Sequence, residues 1–306
     1  MPEISLLCHA KINLTLEILR RREDGYHDLT TVFQAVSLHD ELRVRLEAGD
    51  EDELRVSGIT VPVEGNLVLR AAAAYRREVG LDGGVRLALH KQIPLGAGLG
   101  GGSSDAAGTL LGLASLTPGP SPLFAFGKPA GEGSTEDGRL ATLAAGLGSD
   151  VAFFLGAGTA LGAGRGEVVE PLPTPKGWLV LAKPEVAVST AEAYGLLSAE
   201  DFTDGSRTRD YAEGLRAGYG LHEMACGLYN GFAAPIERRW PQIRVLREQL
   251  LALGAANALM TGSGAAVFGI FANQAASETA AAQLTAEGYW AVAVCPVGRG
   301  LTRVNG

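Results

Sequence analysis

From residue 3 to residue 20 the chain alternates. Ile12, Leu14, Leu16 and Ile18 fall on one side with polar or small residues between them, the period of a half-buried strand. Lys11 and Asn13 then share the opposite face. A polar turn, DGYHDL at 24–29, precedes an expected return strand at about 31–38 and another over ELRVRLE, 41–47. The segment NLVLRAAAAYRREVG (66–80) predicts a helix from its alanines, its apolar spacing and the glycine that stops it. GVRLALHK (84–91) alternates as a strand, and SSDAAGTLLGLASL (103–116) predicts a helix with Ser103 or Ser104 near its N-cap.

Residues 117–138 concentrate proline and glycine without a period, which predicts an inserted surface loop. A helix is expected at about 138–146, and LGSDVAFF (147–154) begins another. GTALGAGRGEVVEPL then returns as strands, and clustered Gly and Pro suggest a domain boundary near 165–175. The second half predicts strand WLVLAK (178–183), helices at about 190–197, 220–231 and 236–253, and strands NALMTGSG and AAVFGIF. Helix QAASETAAAQLTAEG and strand YWAVAVC complete it. The fold class is therefore α+β with an antiparallel sheet in the second half, divided as residues 1–168 and 169–306.

Composition narrows the function classes. At 306 residues, 46% hydrophobic and 20% charged, the chain has no apolar run of the roughly 18 to 20 residues that a spanning helix needs. A soluble protein with no membrane partner is expected. The start, MPEISLLCHAKINL, lacks a basic n-region and a cleavage site, so a cytoplasmic location is expected. Cys8, Cys226 and Cys295 are scattered without metal-site or disulfide spacing and read as reduced structural thiols. A net charge of −8 without a basic cluster argues against nucleic acid as a partner.

The stretch PLGAGLGGGSSDAA (94–107) places five glycines within nine positions, between a patterned strand and a helix. Glycine permits φ > 0 and lets backbone N–H groups converge on an anion. A helix N-terminus adds the positive end of its dipole. Strand, glycine loop and helix in that order point to a phosphate cradle, where a flexible linker is the plainer reading. The loop lacks the GK[ST] ending of a Walker A site. Gly96, Gly98 and Gly101 fit G-x-G-x-x-G, but no acidic ribose ligand follows, so a dinucleotide oxidoreductase is the weaker alternative.

Together, PLGAGLGGGSSDAA, AKINLTLEILRRREDGYHDLTTVFQAVSLHDEL and MTGSGAAVFGIF resemble the three motifs of the GHMP family of small-molecule kinases, in the same order along nearly the whole chain. The resemblance implies a two-domain fold: an N-terminal domain with a left-handed β-α-β unit and a ferredoxin-like C-terminal domain, with the active site between them. It implies ATP as phosphoryl donor, accompanied by Mg2+; no carboxylate cluster marks a protein metal site. The DGYH segment and LGSDVAFF further resemble family members whose acceptor is a cytidylyl sugar-alcohol diphosphate, phosphorylated on its 2-hydroxyl in isoprenoid precursor synthesis. The oligomeric state is left open, a homodimer included.

Matched residue by residue, Lys11 and Asp150 fall on the family's catalytic pair. Pro94, Leu95, Gly96, Ala97, Gly98, Leu99, Gly100, Gly101, Gly102, Ser103 and Ser104 form the loop around the phosphates, while Asn66 and Lys91 fall where adenine is held. Asn13, Tyr26, His27, Thr190 and Tyr194 fall on acceptor contacts, with Tyr26 and Tyr194 as aromatic platforms for a base. The TGSG turn (261–264) would close over the phosphates. Each has a plainer reading from the residues alone: a solvated strand lysine, a helix N-cap aspartate, a polar turn, a core tyrosine, a tight hairpin. A related kinase with another acceptor, and a nucleotide-binding module without catalysis, stay open beside the main reading.

Overall fold

In the computed structural model, which describes residues 2–49, 51–117 and 135–304, the alternating N-terminal segment forms strand β1 (Glu3–Arg21). The expected inserted loop at about 118–133 lies outside the described residues. β1 is buried on both faces from Cys8 to Ile18, where its pattern predicts a half-buried strand. The reason is that its polar face meets other chain segments instead of water. Lys11 N donates to Leu99 O (2.9 Å), Asn13 N to Thr261 Oγ1 (2.9 Å), and Thr208 N to the Glu17 carboxylate (2.7 Å). These bonds supply the partners that buried polar groups require.

β2 (His27–Glu47) is one long strand where two were expected. Its register against β1 slips between His9 and Ala10, and a bulge lets a strand bend without ending. β1 and β2 lie at the centre of an eight-stranded sheet with β3 (Glu53–Gly58), β4 (Gly84–Lys91), β5 (Thr159–Gly164), β6 (Val168–Pro171), β8 (Tyr229–Asn230) and β12 (Leu301–Val304). Its main path runs β12-β1-β2-β4-β3, with β5 and β8 joined to β2 and β1. Helices α1 (Leu67–Val79), α2 (Gly101–Leu116), α3 (Thr135–Leu147) and α4 (Val151–Gly156) pack against the sheet through Leu6, Leu42, Leu87, Leu110, Phe153 and Phe154. Each such side chain, once buried, contributes roughly 1.5–3 kcal/mol. α2 begins at Gly101 behind an N-cap Gly100, so neither Ser103 nor Ser104 caps it, and Ser104 is buried inside the helix.

The second sheet holds β7 (Trp178–Lys183), β9 (Asn257–Met260), β10 (Val267–Phe271) and β11 (Trp290–Val294) in the order β11-β7-β10-β9, all antiparallel. With α8 (Pro241–Ala252) before β9 and α9 (Gln274–Ala286) before β11, this is the expected ferredoxin-like arrangement. The two sheets share a core in which Ile12, Leu14 and Val32 meet Leu179, Leu181 and Phe268.

Three helical segments of the second half also differ from the pattern reading. The helix expected over 236–253 is two, α7 (Ala233–Arg239) and α8, because Pro241 has no N–H to continue the first and biases Trp240 away from helical geometry. No helix spans 220–231: the segment is a turn, a 3-10 turn and β8. Before it lies an unanticipated helix, α6 (Ser206–Arg216), whose buried Thr208, Tyr211, Ala212 and Leu215 have helical spacing inside an otherwise polar sequence. Among the described residues no helix is long and apolar enough to cross a membrane.

Candidate active site

The glycine loop leaves β4, crosses over β1 and enters α2. Lys11 N donates to its Leu99 carbonyl, and Ala266 N to its Ala97 carbonyl (3.2 Å), so the loop is held between β1 and the 261–264 turn. Gly98 has φ +73°, and a Cβ there would stand 2.4 Å from the Thr261 carbonyl oxygen. A Cβ at Gly100 (φ +70°) would stand 2.9 Å from the Lys11 stem and 3.0 Å from Phe154. The turn is fixed in turn by buried Asn230, whose side-chain N–H groups donate to the carbonyls of Met260 (2.8 Å) and Gly262 (2.9 Å).

This contact gives a graded expectation. Gly96 also has positive φ (+58°) but open space around its Cβ position, so Gly96→Ala should cost only the left-handed strain of about 1–2 kcal/mol. Gly98→Ala carries the same strain plus a backbone clash and should cost more, about 3 kcal/mol. Urea denaturation of the two variants checks it; equal losses would mean that the turn yields freely to the loop.

Beside the loop, Lys11 and Asp150 form an ion pair, Nζ to Oδ2, at 3.3 Å. Lys11 is 5% exposed and Asp150 32%, so the carboxylate keeps an open side. Lys11 Nζ also donates to Asn13 Oδ1 (2.8 Å), whose amide N–H donates to Thr31 Oγ1 (2.8 Å). The ammonium is thereby aimed by two fixed oxygens. Asp150 stands at the start of α4 but makes no side-chain capping bond, so the plain N-cap reading fails.

Lys11, Asn13, Gly96, Gly98, Gly100, Ser103 and Asp150 line a cavity of about 610 Å3 together with Tyr26, His27, Thr190, Tyr194 and the turn residues Gly262, Ser263 and Gly264. Such a volume suits a small ligand. Thr190, at the start of helix α5 (Thr190–Gly195), lies 3.3 Å, hydroxyl to hydroxyl, from Ser263. Within the same lining the His27 and Tyr194 rings stack on each other, 4.8 Å apart at 24°, and Tyr194 meets Phe232 edge-on. Burial, and then the nearby Arg21 charge, hold His27 below its ordinary pKa, favouring the neutral ring. Burial and the Asp150 charge push the Tyr194 phenol up to about 12, so it stays a neutral donor.

Of the expected loop residues, Pro94, Leu95, Ala97, Leu99, Gly101, Gly102 and Ser104 do not line the cavity, and outside the loop neither do Asn66 and Lys91. Asn66 caps α1, accepting from Val68 N (3.0 Å), although α1 begins beside Gly102 at the start of α2. Lys91 is enclosed: its ammonium donates to Asp40 and, at 2.8 Å, to Asp105, with the lysine side chain 2% exposed. Its side chain is committed to carboxylates and presents no donor to a ligand. Of the loop, Ala97, Leu99 and Ser104 are buried while Pro94 is half-buried and Leu95, Gly96 and Gly102 are exposed. Among the residues that pattern reading passed over, Thr31, Ser149, Arg165 and Phe232 also line the cavity. Arg165 alone carried a signal, a lone cation between two glycines in GAGRGE.

Comparison with known proteins shows the family. Residues 66–158 match the family model of the GHMP kinases N terminal domain and residues 219–289 that of the GHMP kinases C terminal. The chain is 42% identical to the 4-diphosphocytidyl-2-C-methyl-D-erythritol kinase of Moorella thermoacetica, covering 93% of this chain and 95% of that one. It is 38% identical to the kinase of the same name from Gloeobacter violaceus, covering 96% and 94%. A crystal structure of 4-(cytidine 5'-diphospho)-2C-methyl-D-erythritol kinase superposes with a TM-score of 0.78 at 36% identity, covering 96% of this chain and 100% of that one.

Proposed function

This chain belongs to the GHMP kinases, which are ATP-dependent phosphotransferases, and on that premise we propose that its acceptor is 4-diphosphocytidyl-2-C-methyl-D-erythritol. The reaction moves the γ-phosphoryl of ATP onto the 2-hydroxyl, giving ADP and the 2-phosphate, within non-mevalonate isoprenoid precursor synthesis. The carrying observation is one cavity that joins an anion cradle, a Lys–Asp pair with an open carboxylate, and an aromatic end. The working division is 1–168 and 169–306, with β12 returning to the first sheet. Its substrates being soluble metabolites, the enzyme is assigned to the cytoplasm.

In this reading the loop N–H groups and the N-terminus of α2 hold the donor's phosphates. Asp150 orients the acceptor hydroxyl and takes its proton. A carboxylate is far too weak a base to ionise an alcohol beforehand, so transfer of that proton accompanies bond formation in a loose transition state. Lys11, aimed by Asn13, stabilises charge gathering on the attacking oxygen. Tyr26, His27 and Tyr194 hold the cytosine; the His27–Tyr194 stack, which brings aromatic faces together at this place, supports that reading. Among the described residues no cluster of three metal-ligating side chains is present, and the Ser103 hydroxyl beside the loop is the hard oxygen that would meet Mg2+. That ion would arrive with the nucleotide and offset phosphate charge.

The test is ADP release from Mg-ATP with 4-diphosphocytidyl-2-C-methyl-D-erythritol, homoserine, mevalonate or galactose. ADP formed only with the cytidylyl compound is the expected result. Turnover on another acceptor would keep the family and overturn the substrate; ATP binding without turnover on any of them would favour the non-catalytic module.

A further inference from the structure

We propose that Arg165 is a specificity-determining residue that binds the diphosphate linking the two ends of the acceptor, an inference that rests on the acceptor reading above. With the base at the aromatic end and the reacting hydroxyl at Asp150, a diphosphate must lie between them. Two cationic side chains line the described cavity, Lys11 and Arg165. Lys11 is already engaged by Asp150 and Asn13, so the second cation must answer the diphosphate's charge.

The placement of Arg165 suits that task. It sits at the tip of the β5–β6 hairpin, between Gly164 and Gly166. Its guanidinium carbon lies 5.0 Å over the ring of Tyr26, which is 56% exposed. On the other side the tip packs close to the catalytic corner: a Cβ at Gly166 would stand 3.9 Å from Ser149 Cβ, next to Asp150. Arg165 thus spans the interval between the base platform and the base catalyst.

Its donors are also free for the work. Among the described residues the guanidinium meets the Tyr26 face and, from Nε at 3.6 Å, the Glu167 carboxylate. Glu167 is meanwhile held by the Arg165 backbone N–H at 2.6 Å, which fixes the tip. The two terminal nitrogens carry no partner there. A planar fork of N–H donors matches phosphate oxygens two at a time, a recognition that lysine does not reproduce.

The experiment measures binding of cytidine, CMP and CDP by calorimetry to the wild-type enzyme, Arg165→Met and Arg165→Lys, with ATP binding as the control for folding. CDP should bind the wild type more tightly than cytidine. Arg165→Met should weaken CDP by about 10- to 100-fold and raise the acceptor KM similarly, while cytidine and ATP stay within about threefold; Arg165→Lys should recover only part. Equal weakening of cytidine and CDP would make Arg165 a mere prop for Tyr26 and overturn the proposal, as would unchanged CDP affinity. Wild-type enzyme that binds neither cytidine nor CDP would overturn the acceptor reading itself, and the proposal with it.

Discussion

Replacing Asp150 by asparagine should lower kcat by about 10³-fold and leave the KM for ATP within about threefold. Asparagine keeps the size and a carbonyl oxygen that can still accept from Lys11, so the 3.3 Å contact loses its ionic part without leaving a hole. What disappears is the charged oxygen that the proposed mechanism uses to accept the hydroxyl proton. In the proposed mechanism the carboxylate is needed only as the new P–O bond forms and the loop binds the donor through backbone groups, so the loss should fall on turnover and not on donor binding. Steady-state ADP release and ATP calorimetry on the same preparation separate the two. A variant with kcat within tenfold of wild type would remove Asp150 from the proton-transfer role, and a large rise in the ATP KM would make it a donor-site residue instead.

Much of this site could be read along the chain because its parts are local. The glycine loop announces itself between a strand and a helix, and the alternation of β1 puts Lys11 and Asn13 on one face. The pairings were not legible. Lys11 meets Asp150 and Asn13 meets Thr261 across 139 and 248 positions of sequence, and no periodicity encodes which distant turn will cover a strand. The same blindness concealed β12, a short edge strand that pairs with β1. Proline misled only by being overlooked: Pro241 splits α7 from α8 in the manner its chemistry dictates. Lys91 failed for a different reason. A lysine ending an alternating strand reads as exposed, or as a ligand, unless one knows that Asp40 and Asp105 converge on it.

That convergence predicts the second large effect: Lys91→Met should destabilise the protein by about 3–5 kcal/mol near neutral pH, because it strands two buried carboxylates. Asp40 also accepts from the N–H groups of Gln92 (2.6 Å) and Ile93 (2.9 Å) where the chain enters the glycine loop, and Asp105 lies in the second turn of α2 where the chain leaves it. Lys91 therefore ties both ends of the loop together. Burial pulls its ammonium pKa down, but the Asp105 and Asp40 charges outweigh that and hold it above the ordinary value. Burial drives Asp105 up to about 7, with Lys91 opposing and Asp40 assisting. A carboxyl raised in the folded state contributes stability that is full below its unfolded pKa and lost as pH rises through about 7. Asp105→Asn removes that loss, so relative to wild type it should gain about 2 kcal/mol between pH 5.5 and 8, at about 1.4 kcal/mol per unit. Lys91→Met should recover part of its deficit at the acid end, where protons replace the missing cation. Urea denaturation at the two pH values reads both, and the Asp105 variant keeps the test alive if the Lys91 variant does not fold. Parallel pH profiles for wild type and Asp105→Asn would show that Asp105 is charged throughout, and the cluster would then be an ordinary ion pair with no proton to exchange.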